Sequence, residues 1–79
     1  MKQKAIATAL IIIETEKDGI RADDLASMLT SAFGSRYMGI SVGTLGQFLI
    51  PSVSSGIIYK SRTIRGNTVY HYSLDLETL

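Results

Sequence analysis

Apolar positions along the 79-residue chain fall into three helix-period segments followed by two strand-like runs. Over about residues 2–17, Ile6, Leu10 and Ile13 recur at i, i+4 and i+7 and predict one helix face turned to the core. Ala5, Ala9 and Ile12 form a second stripe beside them, and Ile11 adds apolar surface beyond both. Asp18-Gly19 ends this helix, and Gly19-Ile20-Arg21 reads as a short extended link. A second helix over about 23–33 starts on Asp23 and Asp24, which suit the positive end of its dipole. Leu25, Met28, Leu29 and then Ala32 or Phe33 give its buried face.

Residues 34–40 lack periodicity and read as a connection. Ser41 is a good N-cap for a third helix over about 42–55, with Val42, Leu45, Leu49 and Val53 on one side and Phe48 beside them. Pro51 predicts a break: a helix to Ile50, then a bend or fresh turn as far as Ser55, closed by Gly56. The two β-rich runs, within about 57–74, flank Gly66-Asn67, a two-residue hairpin signature. That turn pairs Arg62 with His71 and Ser61 with Tyr72. It places Tyr59, Tyr70, Tyr72 and Leu74 on one face, and Lys60, Arg62, His71 and Ser73 on the other. The expected fold class is α+β, a three-helix bundle followed by a β-hairpin in a single domain spanning 1–79.

Composition narrows the function classes. The chain has no cysteine, which removes disulfides and thiolate metal sites, and an apolar fraction of 46% excludes a disordered chain. The uncharged run Ala5–Ile13 is far short of the about 20 residues that span a bilayer. With no signal-peptide pattern, a cytoplasmic, nucleoid-associated location is expected, without a membrane partner. One histidine and no cysteine leave no nucleophile–base set, and no glycine-rich phosphate loop follows a strand. Glu14, Glu16, Asp18, Asp23 and Asp24 cluster around a helix end and a helix start, where solubility and dipole effects explain them. No catalysis, metal, cofactor or small-molecule substrate is expected.

The net charge of +1 conceals an asymmetry. Residues 32–74 carry Arg36, Lys60, Arg62 and Arg65 and no acid, a pattern suited to a polyanion.

Three helices followed by a hairpin in so short a chain resemble the winged helix-turn-helix family. The segment GIRADDLASML resembles the second helix of such domains, preceded by a short strand holding Ile20. ISVGTLGQFLIPSVSSGIIYKSR resembles a recognition helix running into the first wing strand, and YKSRTIRGNTVYHYSL the wing itself. The resemblance implies a transcriptional regulator that binds double-stranded DNA. Ser41, Thr44 and Gln47 would then lie on the helix face turned to the bases, with Gln47 suited to adenine and the Thr44 methyl to thymine. Arg36 and Tyr37 would hold phosphates beside the helix N-terminus, and Lys60, Arg62 and Arg65 would carry the wing to an adjacent backbone or minor groove.

Ala5, Ala9 and Ile12 either pack the far side of the domain or face a second copy, small residues permitting close helix approach; a homodimer on that stripe is expected. The third helix has no Lys or Arg between Ser41 and Ser55. That absence supports the alternative, a winged-helix module for protein–protein interaction.

Overall fold

A computed structural model describes residues 2–33 and 40–73. Three helices, α1 (Lys2–Thr15), α2 (Ala22–Phe33) and α3 (Val42–Ser54), pack with three strands, β1 (Ile20–Arg21), β2 (Ile58–Arg62) and β3 (Thr68–Tyr72). The strands form one antiparallel sheet in the order β1-β3-β2, so the architecture is α+β.

The expected buried face of α1 is displaced by one residue. Ala5, Ala9 and Ile13 form the fully buried seam, while Ile6 and Leu10 are only half-buried. Alanines at i and i+4 let α1 settle close to α2 and β3, and Ile13 supplies the bulk at its far end. The helix stops at Thr15, short of the expected 17. The Thr15 hydroxyl donates to the Ile12 carbonyl at 2.8 Å, and the chain then turns through Lys17 and Asp18 to Gly19.

Gly19 is required twice over. Its φ of +89° is a left-handed conformation that L side chains resist. Its backbone also lies against β3, and a Cβ there would sit 2.5 Å from His71 Cε1, 2.6 Å from His71 Nδ1 and 2.8 Å from Val69 Cγ1. This close approach brings Ile20 and Arg21 into register with Tyr70 and Val69.

Helix α2 begins at Ala22, and its seam is Ala22, Leu25, Ala26 and Leu29. Met28, expected in the core, falls outside that arc and is exposed; of the alternatives Ala32 and Phe33, Phe33 packs against the core and Ala32 is exposed. Arg21 grips the Asp23 carboxylate with two nitrogens, Nη2 at 2.7 Å and Nε at 3.1 Å, just where α2 starts. The Thr30 hydroxyl accepts the backbone N–H of buried Ile40 at 2.9 Å and ties α2 to the approach to α3.

Helix α3 runs unbroken through Pro51, contrary to the expected interruption. Proline removes the bond to the Gln47 carbonyl, but Gln47 and Pro51 both lie on the exposed side of the helix, where losing that bond costs least. Leu45, Leu49 and Ser52 are buried, with Phe48 and Val53 packed against the core. Val42, expected among them, is 45% exposed. The helix closes at Gly56 as expected, with the Gly56 and Ile57 N–H groups bonded back to the Val53 and Ser52 carbonyls.

The hairpin differs from expectation in register. β2 and β3 pair Ile58 with Tyr72, Tyr59 with His71, Lys60 with Tyr70, Ser61 with Val69 and Arg62 with Thr68. The turn is Ile64-Arg65-Gly66, not Gly66-Asn67. The Gly66 N–H donates to the Thr63 carbonyl at 2.9 Å, the Thr63 N–H donates to the Asn67 carbonyl at 2.9 Å, and Gly66 takes a φ of +84°. A bond from the third loop residue to the residue before the loop, with that third residue a left-handed glycine, is the usual form of a three-residue hairpin loop. The Asn67 N–H also donates to Thr63 Oγ1 at 3.1 Å, a second tie across the loop.

Candidate nucleic-acid interface

The register decides which side chains share a face. Ile58, Lys60 and Arg62 lie on the same side of the hairpin as Tyr72, Tyr70 and Thr68; Tyr59, Ser61, Val69 and His71 lie on the other. The expected division into an aromatic face and a basic face is therefore corrected. Ile58 and Tyr70 are buried, and the Tyr70 hydroxyl lies beside Gly46 of α3. Lys60 and Arg62 continue that helix-facing side outward and are exposed. With Ser61 and Thr68 they line a shallow open recess. Burial raises the Tyr70 phenol above its ordinary pKa of 10.0.

His71, expected beside Arg62, instead faces Tyr59. The two rings stack at 4.6 Å with 10° between their planes. Ser61 Oγ lies 2.7 Å from His71 Nε2, so the imidazole is fixed on three sides by Tyr59, Ser61 and the Gly19 backbone. It is a packing group of the sheet's outer face.

On α3 the solvent face is Gly43, Gln47, Ile50 and Ser54, spaced at i, i+4, i+7 and i+11. Gln47 is exposed as expected. Ser41 and Thr44 bond each other: Ser41 Oγ accepts the Thr44 N–H at 3.1 Å and donates to Thr44 Oγ1 at 3.0 Å. The pair caps the helix, leaving Gln47 as the exposed amide on this face and Ile50, 57% exposed, as its large apolar neighbour. Arg36 and Tyr37 lie outside the described residues.

Arg65 is exposed in the turn, beside Ile64, which sequence reasoning passed over and which is 106% exposed. Thr63 and Thr68, also unremarked in the sequence, hold the loop and line the recess. Only the register could have drawn attention to them. Over residues 40–73 the charged groups are Lys60, Arg62 and Arg65, and among the described residues no carboxylate pairs with them. Arg21, by contrast, is neutralised by Asp23.

The stripe expected at a homodimer interface is corrected. Ala5 and Ala9 are fully buried within this chain and Ile12 packs against the same core, so the two alanines have no surface to offer a second copy. Among the described residues no group of three or more His, Asp or Glu could hold a metal ion, and no helix is long and apolar enough to cross a membrane. No family model, no curated protein and no solved structure matches the chain.

Proposed function

We propose that the protein is a winged helix-turn-helix regulator that binds double-stranded DNA, with α3 in the major groove and the β2–β3 hairpin as the wing. The observation that carries this reading is the position of Lys60 and Arg62 on the hairpin side that meets α3, with Arg65 at the turn and no acid between residues 40 and 73. One polyanion laid along α3 would then meet all three cations, and Asp23, which shares a recess with Ser41 and Val42 at the start of α3, is paired with Arg21. The order β1-β3-β2, with β1 placed between α1 and α2, also suits a winged helix.

The roles divide by chemistry. Gln47 presents a donor and an acceptor from the middle of α3 and suits the adenine edge; the exposed Gly43 beside it adds no bulk. Lys60, Arg62 and Arg65 contact phosphates, so affinity rests on the wing and sequence preference on α3. The reading needs no second copy of the chain and no catalytic group.

The test is fluorescence anisotropy on mixed-sequence duplexes across a salt series. Wild-type affinity is expected to fall steeply with salt, and Lys60→Ala/Arg62→Ala to reduce the slope of log K against log salt by about 2. Gln47→Ala is expected to cost about 1–3 kcal/mol on the preferred site and to relax preference at one base position. Absence of binding at low salt would overturn the reading. The uncharged face of α3, with Val42 and Ile50 exposed, would then point to a protein partner.

A further inference from the structure

Most exposed apolar side chains of this protein are partly covered by their own helix or strand: Ile11, Ile50, Ile57 and Val42 all keep some contact. Ile64 does not. It stands fully in solvent at the outermost point of the hairpin. This is a turn position where polar residues, glycine and proline are the usual occupants, and nothing in the fold requires a large apolar group there.

The loop beneath it is closed by its own hydrogen bonds. Three hydrogen bonds close the loop: Gly66 N–H to the Thr63 carbonyl, Thr63 N–H to the Asn67 carbonyl, and Asn67 N–H to Thr63 Oγ1. The side chain itself is β-branched and stiff at χ1. Arg62 and Arg65 flank it two residues before and one residue after. The tip is thus an apolar point on a hydrogen-bonded loop, with one arginine two residues before it and another one residue after.

We propose that Ile64 is a wedge that enters the minor groove and parts a base step, kinking the duplex, while Arg62 and Arg65 hold the phosphates on either side. The inference rests on the DNA-binding reading above. Charge complementarity selects the occupant: the minor groove concentrates negative potential and draws arginine, and the stacked bases behind it offer the apolar slot that an isoleucine fits. Flexible pyrimidine–purine steps are the expected sites of insertion, since they unstack most readily.

The experiment uses the full chain and a duplex carrying a fluorophore pair at its ends and 2-aminopurine at a central TA step. Wild type is expected to shorten the end-to-end distance and to raise 2-aminopurine emission on binding. Ile64→Ser is expected to lose both signals and to bind about tenfold more weakly at fixed salt, with the salt slope unchanged. Its thermal midpoint should match wild type, because the side chain makes no contact within the fold. If wild type binds with the expected salt dependence but neither signal moves, or if Ile64→Ser keeps both, the wedge is wrong and the DNA-binding reading stands. If wild type fails to bind duplex at low salt, both fall. A parallel arm with phosphatidylserine-containing vesicles decides the rival use of such a tip. Sedimentation with vesicles that Ile64→Ser abolishes, without duplex bending, would reassign the wedge to a lipid surface.

Discussion

Replacing Gly19 by alanine tests the tightest contact in the fold, and two separable costs follow from the geometry. The first is conformational: at φ +89° an L residue loses about 1–2 kcal/mol relative to glycine. The second is steric. The new Cβ would lie 2.5–2.8 Å from the His71 ring and Val69 Cγ1, closer than carbon atoms tolerate. The imidazole cannot simply swing aside, because Tyr59 stacks on it and Ser61 bonds its Nε2. Relief requires breaking those contacts or pushing β1 away from β3, and overpacking of this kind costs about 1–3 kcal/mol.

Gly66→Ala supplies the control. Its φ of +84° carries a similar conformational cost, but nothing lies within 4 Å of the added carbon. Gly19→Ala is therefore expected to destabilise by about 2–5 kcal/mol and Gly66→Ala by about 1–2. Urea unfolding followed by far-ultraviolet circular dichroism reads both values. In a domain of this size each kcal/mol also moves the thermal midpoint by about 4–8 °C. His71→Ala in the Gly19→Ala background should recover part of the loss, giving a coupling of about 1 kcal/mol or more. Equal destabilisation by the two glycine substitutions, or a His71→Ala cost that is the same in both backgrounds, would refute the steric argument.

Four further substitutions probe the packing and ionisation described above. Ala9→Leu, in the fully buried seam of α1, is expected to destabilise by about 1–3 kcal/mol in urea unfolding, whereas Ala7→Leu on the exposed side stays within about 0.5. Thr30→Val keeps the side-chain shape but strands the buried Ile40 N–H, at an expected cost of about 1–3 kcal/mol by the same measurement. Tyr70, its pKa raised by burial, holds its proton longer in the folded chain than in the unfolded one. Stability is thus whole below pH 10 and declines as pH rises through the raised folded value, and Tyr70→Phe should flatten that alkaline decline in a pH series of thermal melts.

Helix existence and most helix ends were legible because their causes are local. Ser41 is followed by the N–H it caps, Gly56 takes the left-handed turn that closes α3, and Asp23 and Asp24 stand at the start of α2. Which stripe of α1 is buried was not local. Both Ile6-Leu10-Ile13 and Ala5-Ala9 have helical spacing, and hydrophobicity alone favours the isoleucines. The buried stripe is set by how closely α1 approaches α2 and β3, and only alanine permits that approach. Pro51 was misread for a related reason: its cost depends on whether the Gln47 carbonyl meets water or the core, which is a matter of rotation about the helix axis. The candidate site was legible as a set of residues, Gln47, Lys60, Arg62 and Arg65, but not as an arrangement.

That arrangement turns on one loop. Gly66-Asn67 satisfies the rule for a two-residue turn, yet Thr63 competes with its own side chain, accepting the Asn67 N–H and favouring the longer turn with Gly66 left-handed. The two registers differ by three residues in pairing, an odd number, so they exchange the partners of every side chain on β2. In the two-residue register Lys60 and Arg62 would share a face with His71 and Ser73. In the observed one they share it with Ile58, Tyr70 and Tyr72, the face that packs against α3. The proposed contact with one DNA duplex therefore rests on the hydroxyl of Thr63 and the absent side chain of Gly66 as much as on the cations themselves. Changing the loop length by one residue would carry the same charges to the opposite side of the sheet.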